Sequence, residues 1–200
     1  MGYHTDFTGE INISPPLSDE QITYINTFSS TRRMARNESI LASMPDPVRD
    51  AVGLPVGQQG EFYVGSTSDF GQTRDKSIID FNLSPKSQPG LWCDWVVSDD
   101  GKYLEWNGSE KFYGYVEWLE YMNKNFFTPW KKDLNGEIKW EGEDSSDKGV
   151  IVVENNNVKA LEGDEYKKYL QIKKDKKALE NELKVNISSK TMQKNKQHKI

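Results

Sequence analysis

The stretch from Gln88 to Met122, QPGLWCDWVVSDDGKYLEWNGSEKFYGYVEWLEYM, constrains the fold more than any other part of the chain. It holds Trp92, Trp95, Trp106 and Trp118, together with the single cysteine, Cys93. Leu91, Cys93, Trp95 and Val97 alternate with Trp92, Asp94 and Val96, which is the period of a half-buried strand. Ser98 to Gly101 (SDDG) is a turn, with Gly101 free to take a positive φ. Lys102 to Trp106 then returns as the partner strand. Asn107, with Glu110 three residues later, predicts a capped helix start. Phe112, Tyr115, Val116, Leu119, Met122 and Phe126 recur at helical spacing until Pro129 stops them. Strand, hairpin, strand and helix therefore follow one another, and the core is expected to form on them.

The flanks extend the pattern. Phe7, Ile11 and Ile13 share one face of a first strand, which Pro15-Pro16 ends. Ser18 to Gln21 (SDEQ) is a capping box, and Ile22, Ile25 and Phe28 form the stripe of the helix it opens. Beyond Pro129, Gly136 to Glu141 reads as a strand. Gly149 to Val153 and Val158 to Leu161 read as a hairpin closed by Asn155 to Asn157. The result is an α+β class: a mainly antiparallel sheet with two helices on one face, in the β-α-β-β-α-β order of ferredoxin-like folds, plus a C-terminal hairpin. Met44 to Pro89 is a long insertion punctuated by proline and glycine, with short strands expected at Glu61 to Val64 and Ser77 to Phe81. Residues 1–162 are read as one domain, 163–184 as a C-terminal helix, and 185–200 as a basic, disordered tail.

Charge divides along the same boundary. The net charge is −5, yet residues from Asp164 onward carry roughly +6 and those before them about −11. An acidic body opposes phosphate-backbone binding, so nucleic acid is not an expected partner. No apolar run approaches a membrane span, and MGYHTDFTGE lacks the basic segment and apolar core of a secretory signal. One cysteine forms no intrachain disulfide. These features predict a cytoplasmic protein.

The sequence calls for no cofactor and no metal. There are two histidines, His4 and His198. His4 with Asp6 is the one acid–base pair the histidines offer. Glu141, Glu143, Asp144 and Asp147 crowd one loop, but their spacing is not that of a calcium loop. Cys93, inside a strand beside Trp95, is expected to be buried and inert. Asp94 and Glu110 are carboxylates near the hairpin, although 31 acidic residues make chance pairings common.

The candidate binding residues lie elsewhere. Thr31 to Arg36 (TRRMAR) places three arginines together, and Ser66 to Asp75 (STSDFGQTRD) is rich in donors and acceptors. Aromatic side chains beside guanidiniums can stack a planar base and hold its phosphates. Arg32, Arg33, Arg36, Arg74, Asp75, Trp92 and Tyr113 are accordingly the expected ligand site, with Trp118 and Tyr121 as further aromatics. The alternative for the arginines is pairing with Asp46 and Asp50, or solvation. Asp69-Phe70-Gly71 copies a kinase tripeptide without the motifs that accompany it.

GYHTDFTG, TRRM, GLWCDW, EKFYGYVEWLEYM and LNGEIKWEGED, in that order between Gly2 and Leu161, resemble a family of small proteins found in bacteriophages and bacteria. The resemblance implies a phage-type accessory protein acting in a host bacterial cytoplasm, and it carries no role for any residue. The expected function is binding: capture of a host factor or of a nucleotide-derived defence signal. Two alternatives stand beside it. One is a hydrolase or transferase acting on small phosphate-containing molecules. The other is a protein- or nucleic-acid-interaction module using the basic tail.

Overall fold

The computed structural model describes residues 2–197, with side chains as far as residue 184. In chain order its elements are β1 (Thr5–Ser14), α1 (Asp19–Ser30), β2 (Ala35–Arg36), α2 (Glu38–Leu41), α3 (Pro47–Ala51), β3 (Ile78–Asp80), β4 (Trp95–Val97) and β5 (Tyr103–Trp106). There follow α4 (Tyr115–Met122), continued by a wider π turn over Asn123–Phe127, then β6 (Asp133–Gly142), β7 (Lys148–Glu154), β8 (Asn157–Glu162) and α5 (Gly163–Gln197). The chain divides into two compact units, Met1–Ala160 and Leu161–Ile200.

The protein is α+β, built on a six-stranded sheet in the order β4-β5-β1-β6-β7-β8. The pairs β4–β5, β5–β1, β1–β6 and β6–β7 are antiparallel. Within the β-α-β-β-α-β series, the fourth, first, third and second strands (β6, β1, β5, β4) lie side by side, which is the ferredoxin-like arrangement. β7 and β8 extend the sheet beyond β6. Between them Asn155 and Asn156 take φ of 48° and 65°, as a two-residue hairpin turn of asparagines does.

Alternation decides which face is covered. Phe7, Ile11 and Ile13 of β1, Trp95 and Val97 of β4, Leu104 of β5, and Leu134, Ile138 and Trp140 of β6 all enter one apolar cluster. Tyr24, Ile25 and Phe28 of α1 and Trp118, Leu119 and Met122 of α4 meet them there, so both helices cover the same side. Residues of opposite parity, among them Thr8, Glu10, Asn12, Glu137 and Lys139, line a shallow depression on the other side of the sheet. Helix α1 starts as its capping box requires. The Ser18 hydroxyl accepts from the Gln21 N–H at 3.4 Å, and the Gln21 side chain accepts from the Ser18 N–H at 3.1 Å. Asn26 of the same helix both accepts from the Val97 N–H (2.9 Å) and donates to the Val97 carbonyl (3.1 Å). It thereby occupies backbone groups that edge strand β4 would otherwise expose.

In the first unit the structure departs from the sequence reading in three places. Glu61 to Val64 forms no strand, although Phe62, Tyr63 and Val64 are buried, and the Val64 N–H donates to Asp46 instead. Regular pairing in the first arm of the hairpin begins only at Trp95, since the Leu91 carbonyl accepts from the Arg33 N–H. Asn107 does not cap a helix. Its side chain accepts from the Ser109 N–H at 2.8 Å in a tight turn, and Gly108, Lys111 and Gly114 all have positive φ, so α4 opens at Tyr115. Helix α1 itself stops at Ser30, and the chain continues through TRRMAR into β2.

In the second unit, α5 runs to Gln197, past the helix end read at residue 184 and into the stretch read as disordered. The last three residues of that expected tail, with His198, lie outside the described residues. Among the described residues, no helix is long and apolar enough to cross a membrane.

Candidate functional site

The chain turns tightly within TRRMAR, where the Met34 N–H donates to the Arg32 carbonyl at 3.0 Å, and the three arginines end in different surroundings. Arg33 turns inward and is 3% exposed. Its guanidinium donates to the Thr31 hydroxyl (3.0 Å) and to the carbonyls of Glu61 (2.9 Å) and Tyr63 (3.0 Å), 4.1 Å above the Phe28 ring. Burial lowers its pKa from the usual arginine value. Arg36 is equally buried. It donates to Asp75 (2.6 Å), to the Ser77 hydroxyl (2.8 Å) and to the Gly71 carbonyl (3.0 Å), and lies 5.1 Å over the Tyr63 ring. Both arginines clamp the insertion to the body of the domain, and Asp75 is part of the clamp. Asp46 and Asp50 pair with Arg49.

Arg32 stays half-buried. It donates to the Phe81 carbonyl (3.0 Å) and Asn82 (3.1 Å), with its guanidinium 5.8 Å from the Trp92 ring centre. Arg74 is exposed. The seven expected site residues therefore do not converge on a single point: Arg33, Arg36 and Asp75 are spent on the fold. Trp118 and Tyr121 are buried in the core at 0% and 7% exposure. Trp92 and Tyr113 do come together, in the lining of one cleft.

That cleft has a volume of about 680 Å³. The C-terminal end of α1, the Ser68–Gly71 turn, Trp92 to Asp94 and the loop from Asn107 to Tyr113 form its walls. Three aromatic rings, Phe70, Trp92 and Tyr113, line it. Phe70 is 64% exposed and has φ 53°, between Asp69 at 50° and Gly71 at 78°. A left-handed conformation costs a non-glycine residue about 1 kcal/mol, and such residues persist only where neighbours hold them. Here the Arg32 N–H donates to the Phe70 carbonyl at 2.8 Å, and the buried Arg36 takes the Gly71 carbonyl. The turn is thus fixed in a strained form that presents an apolar ring to solvent. Tyr113 is held from behind, its hydroxyl accepting from the Tyr3 N–H at 3.1 Å.

Asp94 is the unusual polar group of the lining. It is 7% exposed, and no cation pairs with it among the described residues. Burial pushes its carboxyl above the usual aspartate value, against hydrogen bonds from the neutral side chains of Asn107 (3.3 Å) and Ser109. A buried carboxylate without a countercharge is costly, and in a cleft it marks a functional candidate. Glu110 and Lys111 add one charge of each sign to the same walls.

The remaining chemical candidates lie apart from this cleft. His4 Nε2 sits 3.0 Å from Asp6 Oδ1, beside Trp106. In the acidic loop, Asp147 accepts from the Tyr3 hydroxyl (2.7 Å) and Glu143 from the His4 N–H (2.9 Å). Among the described residues, no cluster of three or more histidine, cysteine or acidic side chains is arranged to hold a metal ion. Cys93 is fully buried 3.5 Å from the Met122 sulfur, and burial pushes its thiol up to about 12.

Sequence reasoning missed Phe70 and set Asp94 aside. A signal existed for Asp94, the one acid between Trp92 and Trp95 in an apolar run. Nothing local marks Phe70, because its exposure depends on clamps from a distant segment. No family model, curated protein or solved structure matches the chain.

Proposed function

We propose that the protein acts by binding, and that its cleft captures a small molecule through a planar heterocyclic ring. The observation carrying this reading is the cluster of Phe70, Trp92 and Tyr113 around the buried Asp94 carboxylate. Aromatic faces accept any base-like ring, and a carboxylate gives that ring a fixed hydrogen-bonding edge. For a phage-type accessory protein, the fitting role is sequestration of a nucleotide-derived defence signal in the host cytoplasm. Arg33 and Arg36 are occupied by the fold, so the ring rather than the phosphates supplies most of the affinity. Lys111 is the cation the cleft itself offers to a nucleotide's phosphates, and of the expected arginines Arg32 and Arg74 are the two not buried in the fold.

The open face of the sheet supports the exclusion of nucleic acid. A sheet of this topology reads RNA with exposed aromatics and a basic rim. Here the depression on that face is lined by Glu10 and Glu137, with Tyr103 its single ring and Lys139 its single cation.

Calorimetry with nucleosides and cyclic or ADP-ribose-type nucleotides tests the reading. Micromolar or tighter binding is expected, with the ligand recovered unchanged by chromatography after heat release. Trp92→Ala should weaken binding about 5- to 100-fold, the loss of one stacking partner. Flat traces across the panel would exclude capture of a base, and recovery of a converted ligand would replace binding with turnover.

A further inference from the structure

We propose that Asp94 reads the edge of the bound ring and makes the cleft selective for bases that present two adjacent N–H donors, the guanine edge. This rests on the base-binding reading above and specifies the ligand class for the same cleft.

The argument starts from what the lining can accept. An ionised carboxylate has acceptors only. Asp94 receives hydrogen bonds from Asn107 and Ser109, both neutral, so its charge stays uncompensated. Glu110 is a second carboxylate in the same walls, and Lys111 is the single cation among the lining side chains. The cleft is therefore acceptor-rich and carries a net negative charge. A ring edge that brings its own acceptor toward Asp94 meets lone pair against lone pair, whereas an edge with donors satisfies it.

The bases differ on this point. Guanine offers N1–H and the 2-amino group side by side, spaced to meet both oxygens of one carboxylate. Adenine and cytosine each place a ring-nitrogen acceptor beside their amino group. Uracil has one N–H between two carbonyls. Inosine keeps guanine's ring and N1–H but lacks the 2-amino group, so it isolates the second hydrogen bond. Bidentate, charge-assisted bonding in a desolvated site is the strong case, and a site built for a donor rejects analogues lacking it.

The experiment is calorimetric titration of the full chain with guanosine, inosine and adenosine, for wild type, Asp94→Asn and Trp92→Ala. Guanosine should bind about 10- to 100-fold more tightly than either analogue, the size of effect expected for hydrogen bonds to a charged group. Asp94→Asn keeps the shape, removes the charge and turns one acceptor into a donor, so it should abolish the guanosine preference and bring adenosine to at least its wild-type affinity. Trp92→Ala should weaken all three nucleosides together. Base binding without guanosine preference, or a preference that survives in Asp94→Asn, would overturn the role of Asp94 while leaving the base-binding cleft in place. Absence of binding by all three nucleosides would overturn both.

Discussion

Arg36→Ala is expected to lower the stability of the protein by about 3 kcal/mol, the scale for breaking a buried pair and stranding its partners. The residue is 4% exposed and serves three acceptors at once: Asp75, the Ser77 hydroxyl and the Gly71 carbonyl. Removing it leaves those acceptors without their donor and takes a guanidinium off the Tyr63 ring. For a chain of this size the loss corresponds to a fall in Tm of about 6–12 °C. The strained turn around Phe70 should loosen as well, read as faster proteolysis within residues 66–75 and weaker ligand binding. Thermal unfolding checks the first effect, and an unchanged Tm would show that the clamp is dispensable.

Acid should act through the same contact. Burial alone would raise the Asp75 carboxyl, but hydrogen bonds from Ser77 and Arg36 outweigh it and hold the group below the usual aspartate value. A lowered folded pKa means the pair's contribution is complete above the unfolded aspartate value. It is lost as pH falls through the lowered one. The stability gap between wild type and Arg36→Ala should therefore narrow on strong acidification.

Gly9→Ala is expected to cost about 3 kcal/mol or more at the centre of the sheet. Gly9 has φ +114°, a region closed to side chains, and a Cβ there would press into the Glu137 carbonyl oxygen of the paired strand. Gly136, which pairs with Ile11 on the same ladder, repeats the problem at φ +152°, where a Cβ would lie 2.6 Å from the Glu10 carbonyl oxygen. Neither neighbour can yield, because each belongs to the β1–β6 ladder that spans Thr5 to Ser14. Urea denaturation checks it. A midpoint within experimental error of wild type would mean that the two strands can separate locally at no cost.

Asp94→Asn should move stability the opposite way. A carboxyl whose folded pKa is raised imposes its full penalty above that pKa, and the penalty fades as pH falls through it. Replacing it with the neutral isostere should therefore stabilise the free protein near neutral pH, by about 1 kcal/mol or 2–4 °C in Tm. Little gain should remain in acid. A variant that gains stability and loses ligand selectivity identifies a residue retained for binding. A loss of stability would mean that Asp94 is a structural acceptor.

Much of the architecture was legible because its signals are local. Ser18 and Gln21 carry the chemistry of a helix start within four residues, and both halves of the box are in place. Alternation in β1, β5 and β6 names the buried face without knowledge of the partner strand, as Ile11, Leu104 and Ile138 illustrate. Asn107 shows where local signals become ambiguous. The same side chain that caps helices also closes an Asx turn, and the left-handed residues that follow it decided for the turn.

The candidate site was less legible, and the reason lies in the partners. Trp118 and Tyr121 looked surplus to a helical stripe. They are buried because α4 packs against the sheet and also meets the insertion, where the Tyr121 hydroxyl reaches Glu61. Arg33 and Arg36 carried the right chemistry for a phosphate, yet much of what they bind is backbone: the carbonyls of Glu61, Tyr63 and Gly71. Every residue owns a carbonyl, so no residue letter announces which one a guanidinium will find. The sequence thus specified an α+β sheet with two helices on one face, since hydrophobic period and caps are written in side chains. Which arginines became clamps, and that Phe70, Trp92, Asp94 and Tyr113 share a cleft, followed from long-range backbone contacts that only the folded chain brings together.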